Sequence, residues 1–296
     1  MAGEDEQSNA AEARDGAGVV DGEQGKSKSN RHGRKGRRKR KKVAQIEAAL
    51  AAAEAGIQLD LSEGVLPTDR GFQWPAVKDL CCLNETDKKS IIGQLGYFPG
   101  NALSVAARVN EAFPDSSTLK DDDTPLVLKL YPLVLREEAD GTKSKRKRRR
   151  QNGDEKTNPL VEPFPTMFWV THPRLKALIS KIELDNRGTH YEKLLQKDSK
   201  ALESMKKAHL AYGKERHSMI TAEDLDYISK RRWDSALDPS RGVAGICRHT
   251  GIKCLHAHAA HFWSGCKDNI VGQWVAEEVS NLLLEDEKKT SPDTDK

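Results

Sequence analysis

The sequence predicts an α+β fold in which a small, mostly antiparallel sheet packs against a helical C-terminal half. Segments 102–109 and 125–137 alternate apolar with polar or small residues, and segment 163–171 is strongly apolar, as expected of strands. In the C-terminal half, apolar side chains recur every three or four positions, as Leu175 and Leu178 do. A run of strands followed by a run of helices is typical of the α+β class.

Proline, glycine and capping residues predict where individual elements end. Pro132 lies in the middle of the second strand segment, and because proline donates no backbone hydrogen bond we expect an edge strand or a bulge there. Pro173 suits the first position of a helix, and Thr86 suits the cap of a helix that stops at Gly96. The further predicted helices are 189–219, 222–233, 251–265 and 269–287.

Composition divides the chain into one folded domain and several segments with little to bury. Only 36% of the residues are hydrophobic and 5% aromatic, while 32% are charged, which favours a compact domain that carries disordered segments. We predict a disordered basic arm, a short helix with an irregular linker, a single α+β domain, a disordered basic insertion within that domain, and a disordered tail. Their predicted bounds are 1–42, 43–85, 86–287, 138–162 and 288–296, in that order.

Two dense cationic runs lie in the segments predicted to be disordered. Residues 26–42 hold eleven Lys or Arg and no acid, and residues 143–150 hold seven more. Removing these eighteen charges from the formal net charge of +4 leaves −14, of which residues 1–25 hold −6 and residues 285–296 hold −2, so the remaining body carries about −6. A mildly acidic body is not the charge pattern of a domain that binds nucleic acid with its folded face. The runs predict either an address read by a nuclear import receptor, with the nucleus or nucleolus as destination, or arms that lie on RNA phosphates. The residues assigned to these roles are Arg34, Lys35, Arg37, Arg38, Lys39, Arg40, Arg146, Lys147, Arg148, Arg149 and Arg150.

Several protein classes are excluded at this stage. No run approaches the ~20 apolar residues that a membrane helix needs. The acidic N-terminus lacks the apolar stretch of a secretory signal, and five cysteines, an odd number, do not form a disulfide scaffold. We therefore expect a soluble intracellular protein. The local motifs of nucleotide-binding proteins and common hydrolases are absent from the sequence, so it identifies neither a reaction nor a substrate, and whether the protein is an enzyme stays open.

Half of the fourteen Cys and His residues in the chain fall within twenty positions near its C-terminus. Thiolate and imidazole are preferred ligands of zinc. There is no paired Cys-x-x-Cys, so the pattern matches no familiar zinc finger. Three interpretations stay open: a metal site, with zinc as the expected ion, a metal-free site built on Cys254 and His256, and a cluster that only packs the core. The seven residues are Cys247, His249, Cys254, His256, His258, His261 and Cys266.

The start of the helix decides which of these side chains point the same way. A helix over 254–265 would align Cys254, His258 and His261 on one face, with His256 pointing elsewhere. A helix that begins two residues later would instead leave Cys254 and His256 at its N-terminal end, where the helix dipole favours a thiolate.

Three longer segments carry a family resemblance: LGYFPGNALSVAARV (95–109), PFPTMFWVTHPRLKALISKIE (163–183), and GIKCLHAHAAHFWSG followed by NIVG (251–272). In this order they resemble the family called domain of unknown function 501, which is best represented in bacteria, over most of residues 86–285. In that family a Pro-Phe-Pro-Thr strand ends in Cys-Pro and leads to several helices. A late Lys-Cys-Leu-His motif, with a second His five residues on, then precedes an Asn-Pro-(Ile/Val)-Gly turn. This chain has Val109 where many members carry a Cys, and its basic arm and insertion lie outside the family domain.

The resemblance implies a site but no function. The family motif has the same residues at Cys254, His256 and His261, and His172 stands where the family usually shows Cys. The resemblance therefore implies these four residues as metal ligands. Cys254 is then a thiolate ligand or a nucleophile, and the two helix histidines are ligands or proton carriers. The alternative is a non-catalytic factor that binds RNA or a ribonucleoprotein particle through its basic runs, while the domain contacts a protein partner.

Overall fold

The computed structural model describes residues 74–136 and 160–290, together with a few helical residues between 40 and 48. The predicted basic arm, insertion and tail lie for the most part outside these ranges. So do the residues assigned to targeting or RNA binding, apart from Arg40, which is exposed. None of the described helices is long and apolar enough to cross a membrane.

The described part of the chain confirms the α+β class, with strands in its first half and helices dominating its second. The strands are β1 (Ala102–Arg108), β2 (Pro125–Leu130), β3 (Leu133–Arg136), β4 (Leu160–Pro163) and β5 (Phe168–Val170). The helices are α1 (Pro75–Leu80), α2 (Glu85–Leu95), α3 (Val109–Ala112), α4 (Pro173–Leu184), α5 (Arg187–Lys197), α6 (Ser199–Ser218), α7 (Ala222–Lys230), α8 (Asp234–Leu237), α9 (Leu255–Trp263) and α10 (Ile270–Thr290).

The central sheet contains β1, β2 and β5, which pair antiparallel with β2 in the middle. The second predicted strand segment is interrupted at Pro132, so that β2 ends at Leu130 and β3 pairs with β4 in a separate antiparallel sheet. At the break, the Tyr131 N–H donates to the Asn101 carbonyl, and the Phe164 N–H donates to the Pro132 carbonyl, both at 2.7 Å. The proline therefore moves the chain from one sheet to the other while the backbone keeps its partners.

The folded part extends beyond the predicted bounds of 86–287 at both ends. In the predicted linker, α1 packs beside β1. Trp74, the residue that precedes α1, donates its indole N–H to the Asp224 carboxylate at 2.9 Å. β4 begins at Leu160, inside the predicted insertion, and α10 continues to Thr290. Elements of four to six residues show too little periodicity for their burial pattern to be recognised in the sequence.

Capping side chains place two helix starts differently from the prediction. The predicted helix over 189–219 is divided at Asp198, whose backbone is extended (φ −114°, ψ 104°) and whose carboxylate accepts two N–H groups of the following turn, at 2.9 and 3.0 Å. α2 is capped by Asn84 and not by Thr86. Short polar side chains compete with the helix for backbone hydrogen-bonding groups. Asp198, which the sequence pattern places on a charged helical face, therefore caps a new helix instead.

The position of α9 fixes the geometry of the candidate site. The core cluster joins the central sheet to α4, α6, α9 and α10. Gly272 at the start of α10 lies directly against α9, because a Cβ atom there would be 2.2 Å from the His258 carbonyl oxygen. Such close approach leaves α9 little freedom to shift.

Candidate functional site

The candidate site lies at the N-terminal end of α9. The helix begins at Leu255, and Cys254 is its N-cap residue, with an extended backbone (φ −157°, ψ 120°). This start resembles the later of the two predicted ones, because it leaves Cys254 and His256 together at the end of the helix. Both side chains are half-buried.

Glu183, in the last turn of α4, completes a group of three converging side chains. One ligand atom from each of Glu183, Cys254 and His256 lies within 4.8 Å of the other two. His256 Nδ1 lies 3.3 Å from Glu183 Oε1. Sequence reasoning identified Cys254 and His256 but missed the carboxylate.

One face of α4 receives the imidazole ring. Lys176, Ser180 and Glu183 follow one another at i, i+4 and i+7, so they share that face. His256 Nε2 lies 3.0 Å from the Lys176 carbonyl oxygen and 3.2 Å from Ser180 Oγ. Because a carbonyl oxygen only accepts, Nε2 carries a proton, and Nδ1 is the ring atom left facing Glu183. The helical spacing within α4 was the signal that could have identified Glu183.

The Glu183 carboxylate also holds the start of α9. Its Oε1 atom accepts the backbone N–H of Leu255 at 2.8 Å, one of the N–H groups that a helix leaves without an internal partner. The same oxygen therefore contacts both the helix backbone and the His256 ring. This double contact fixes the carboxylate next to the Cys254 side chain.

Charge and burial oppose each other at His256. Burial of the ring lowers its pKa, but hydrogen bonds to Cys254 and Glu183 outweigh that effect and raise the pKa to about 9. In the absence of a bound metal the ring is thus a cation at neutral pH. Its proton must leave before Nδ1 can bind a metal ion.

His261 does not join this group. It lies five residues after His256 on α9, a rotation of about 140° around the helix axis, so the two rings leave opposite sides. His261 Nδ1 accepts from the Asn269 side-chain amide at 3.1 Å, and the ring stacks on Phe168 with centroids 5.7 Å apart. The assignment of His261 to the same site as His256 is therefore corrected, because this side chain belongs to the core.

His172 is also remote from the group. It is the N-cap residue of α4, whereas Glu183 lies eleven residues further along the same helix, about 16 Å away at 1.5 Å per residue. The His172 Nε2 atom lies 3.4 Å from the Asp122 carboxylate, and this contact is the main cause that lowers the pKa of Asp122 to about 2. His172 thus caps α4 and pairs with an acid, so its assignment as a fourth ligand is corrected as well.

The remaining cysteines and histidines of the cluster are divided between surface and core. Cys247 is exposed, with its sulfur 2.9 Å from an Arg241 guanidinium nitrogen. His249 Nε2 donates to the Ser240 carbonyl at 2.7 Å. His258 is buried, and its Nδ1 lies 3.1 Å from the Asn269 side-chain oxygen.

A profile of the family described as "Protein of unknown function (DUF501)" matches residues 118–277, which is more than half of the chain. The chain belongs to the DUF501 family. The resemblance recognised in the sequence is confirmed, and the match contains its second and third segments, while the first segment, 95–109, precedes it. No curated protein and no solved structure matches the chain.

The fold divides the residues that share the DUF501 pattern between two environments. Cys254 and His256 lie at the three-residue group, whereas His261 packs in the core. Val109, where many DUF501 members carry a Cys, is fully buried in the same core. A ligand set for this DUF501 protein therefore draws on Glu183 instead of the positions of His172 and Val109.

Thiol, imidazole and carboxylate groups in this arrangement suit a transition metal ion. Zinc bonds of about 2.0–2.3 Å at tetrahedral angles put ligand atoms roughly 3.3–3.8 Å apart. The 3.3 Å between His256 and Glu183 falls in that range, and separations of up to 4.8 Å need side-chain movements of about 1 Å. The His256 N–H that donates to a backbone carbonyl is the support that metal-bound histidines usually have.

Proposed function

We propose that this DUF501 domain binds one zinc ion through Glu183, Cys254 and His256, and that the ion activates a water molecule for hydrolytic chemistry. The observation that carries the proposal is the convergence of the three ligand atoms within 4.8 Å of one another. Three protein ligands with a fourth position left for water is the pattern of catalytic zinc sites, whereas structural sites usually have four protein ligands.

Each residue has a stated role in this proposal. Cys254 supplies a thiolate, which selects zinc over magnesium or calcium. His256 binds through Nδ1, while its Nε2–H stays on the Lys176 carbonyl. Glu183 supplies a carboxylate oxygen, and its hydrogen bond to Leu255 keeps it in position before the ion arrives. The half-buried position of all three side chains leaves the ion accessible to a substrate.

A reactive thiol is the second candidate function, and the raised pKa of His256 favours it. The His256 ring lies beside Cys254, the pairing that enzymes with a nucleophilic cysteine use. Glu183 would then orient the ring. The two functions use the same side chains, so a metal measurement and a thiol measurement are both needed.

The first experiment is the zinc content of the full chain, purified from zinc-supplemented medium and measured by elemental mass spectrometry. We expect about one equivalent in the native protein, and its loss in Cys254→Ser, His256→Ala and Glu183→Gln. Cys247→Ser and His190→Ala are matched controls, since both side chains are exposed and outside the group. Replacement of zinc by Co²⁺ should add a thiolate-to-cobalt absorption band that Cys254→Ser abolishes.

The outcomes separate the two candidates. A protein without zinc that does not bind added Co²⁺ contradicts the metal site. Fast alkylation of Cys254 by iodoacetamide at neutral pH, slowed by His256→Ala and unchanged by Cys247→Ser, would then support the reactive thiol. Slow alkylation of a metal-free protein would contradict both functions and leave the group a structural cap of α9.

A further inference from the structure

A second cluster of imidazoles lies on the other side of α9, away from the candidate site. His209 of α6 and His258 of α9 are 0% and 1% exposed, and their rings meet nearly at right angles with centroids 5.6 Å apart. Among the residues that the structure describes, neither Nε2 atom has a hydrogen-bond partner. Buried polar atoms almost always have one, because an unmade hydrogen bond in the interior is costly.

The proton position on His209 follows from its neighbour. The Val243 backbone N–H donates to His209 Nδ1 at 3.1 Å, so this nitrogen must present its lone pair. Burial lowers the pKa of His209 to about 2, and the ring is neutral at physiological pH. A neutral imidazole with a free lone pair at Nδ1 carries its single proton on Nε2. The unpartnered atom of His209 is thus a hydrogen-bond donor.

The proton on His258 occupies the opposite nitrogen. The Gly272 N–H donates to Asn269 Oδ1 at 2.9 Å, which settles which side-chain atom of Asn269 is the oxygen. His258 Nδ1 lies 3.1 Å from that oxygen and must therefore donate to it. The His258 ring is 1% exposed, and burial in the core favours its neutral form. Its Nε2 atom keeps a lone pair, and the unpartnered atom of His258 is an acceptor.

We propose that one water molecule is bound between His209 and His258, accepting from His209 Nε2–H and donating to His258 Nε2. The pair offers one donor and one acceptor, which is what a bridging water needs from two partners. A metal ion does not fit the same place. The only lone pair of neutral His209 is at Nδ1, and the Val243 N–H already occupies it.

This water would join α6 to α9 from the face opposite to the candidate site. α9 receives Glu183 and α4 on one side and the imidazole cluster on the other. The helix is therefore held between a metal-ligating group and a hydrated polar contact, and the two can be tested separately.

The test uses the full chain labelled with ¹⁵N-histidine. Long-range ¹H–¹⁵N spectra at pH 7 should show the Nε2–H tautomer for His209 and the Nδ1–H tautomer for His258, with an exchange-independent cross-peak between His209 Nε2–H and water. A scalar coupling between the two Nε2 atoms would mean a direct hydrogen bond and would overturn the proposal. Either tautomer reversed would overturn it as well. These measurements need no variant.

Oxygen-17 relaxation dispersion then counts the long-lived internal waters. His258→Phe, which removes the acceptor and keeps a ring in place, should lower the count by one water molecule. The matched control His190→Phe, at an exposed position, should leave the count unchanged. An equal count in native protein and His258→Phe, with the fold retained, would show that no water is bound there. A count that falls by one in both variants would overturn the assignment in the same way.

Discussion

Acidification from pH 7 to pH 5 should destabilise the domain steeply, because three buried imidazoles are held neutral in the folded state. Burial is the main cause that lowers the pKa of His209 to about 2, of His258 to about 4 and of His261 to about 3, and neighbouring imidazoles add to the effect at His209 and His261. In the unfolded chain each returns to about 6.5. The unfolded state then binds more protons than the folded state. Stability is therefore retained above the unfolded pKa and lost as the pH falls toward the pKa values of the folded state.

The magnitude follows from these pKa values. Between pH 7 and pH 5 each buried ring lowers the free energy of unfolding by about 2 kcal/mol, so the three together lower it by about 6 kcal/mol. His256 acts in the opposite sense. Its pKa in the folded state is raised to about 9. Its contribution to the free energy of unfolding is therefore full below the unfolded pKa of about 6.5 and is lost as the pH rises through 9. Between pH 7 and pH 5, His256 therefore raises the free energy of unfolding by about 1 kcal/mol. The net loss is about 5 kcal/mol, which is a large share of the stability of a typical domain.

Urea unfolding of the full chain, followed by tryptophan fluorescence in the presence of a chelator, measures this loss. Near pH 5.5 the free energy of unfolding should change by roughly 3–4 kcal/mol per pH unit, which corresponds to an uptake of two to three protons. His190→Gln should leave the slope unchanged, because that ring is exposed. A total change below about 1 kcal/mol between pH 7 and pH 5 would refute the account of the buried rings.

Three further predictions concern the site, the helix packing and the basic runs. Zinc affinity, measured by competition with a chromophoric chelator, should weaken at least about tenfold per pH unit between pH 8 and pH 6, because zinc displaces the His256 proton together with any proton on the Cys254 thiol. A flat profile would mean that neither residue is a ligand. Gly272→Ala should lower the free energy of unfolding by at least about 2 kcal/mol, since its Cβ would overlap a carbonyl of α9, whereas Gly93→Ala, with open space around it, should raise it by about 0.5–1 kcal/mol. If the basic runs bind RNA, as the sequence predicts, the affinity of the full chain for RNA, measured by fluorescence anisotropy, should weaken steeply with salt and vanish when the cations of 26–42 and 143–150 are neutralised. Binding that is retained by the neutralised chain, or absent from the native chain, would contradict an RNA-binding role of these runs.

The general architecture could be predicted from the sequence because its signals are local. The period-two pattern of 102–109 and the helical spacing of 173–184 depend on nearby residues alone, and both became the expected elements. Pro132 likewise acts through its own missing N–H. The split at Asp198 could not be predicted, since the sequence does not reveal whether a carboxylate faces solvent or turns back to cap a helix.

The candidate site was only half predictable for a related reason. Cys254 and His256 are neighbours in sequence, and their proximity survives any helix start near residue 255. The contribution of Glu183 depends on how α4 packs against α9, a contact that spans more than seventy residues. His261 was assigned to the site because the family motif contains it, although five residues along a helix turn its side chain about 140° away from that of His256.

Because Glu183 contacts both the His256 ring and the backbone of α9, the first backbone amide of α9 should report binding at the carboxylate. When an ion draws electron density from the carboxylate, the Leu255 amide that donates to the same oxygen must respond, with its proton resonance moving and its exchange with solvent changing. No engineered probe is needed to follow the process, and the reporting group is neither a ligand nor a titrating side chain. A single backbone signal could thus be used to rank the ions and ligands that bind at Glu183.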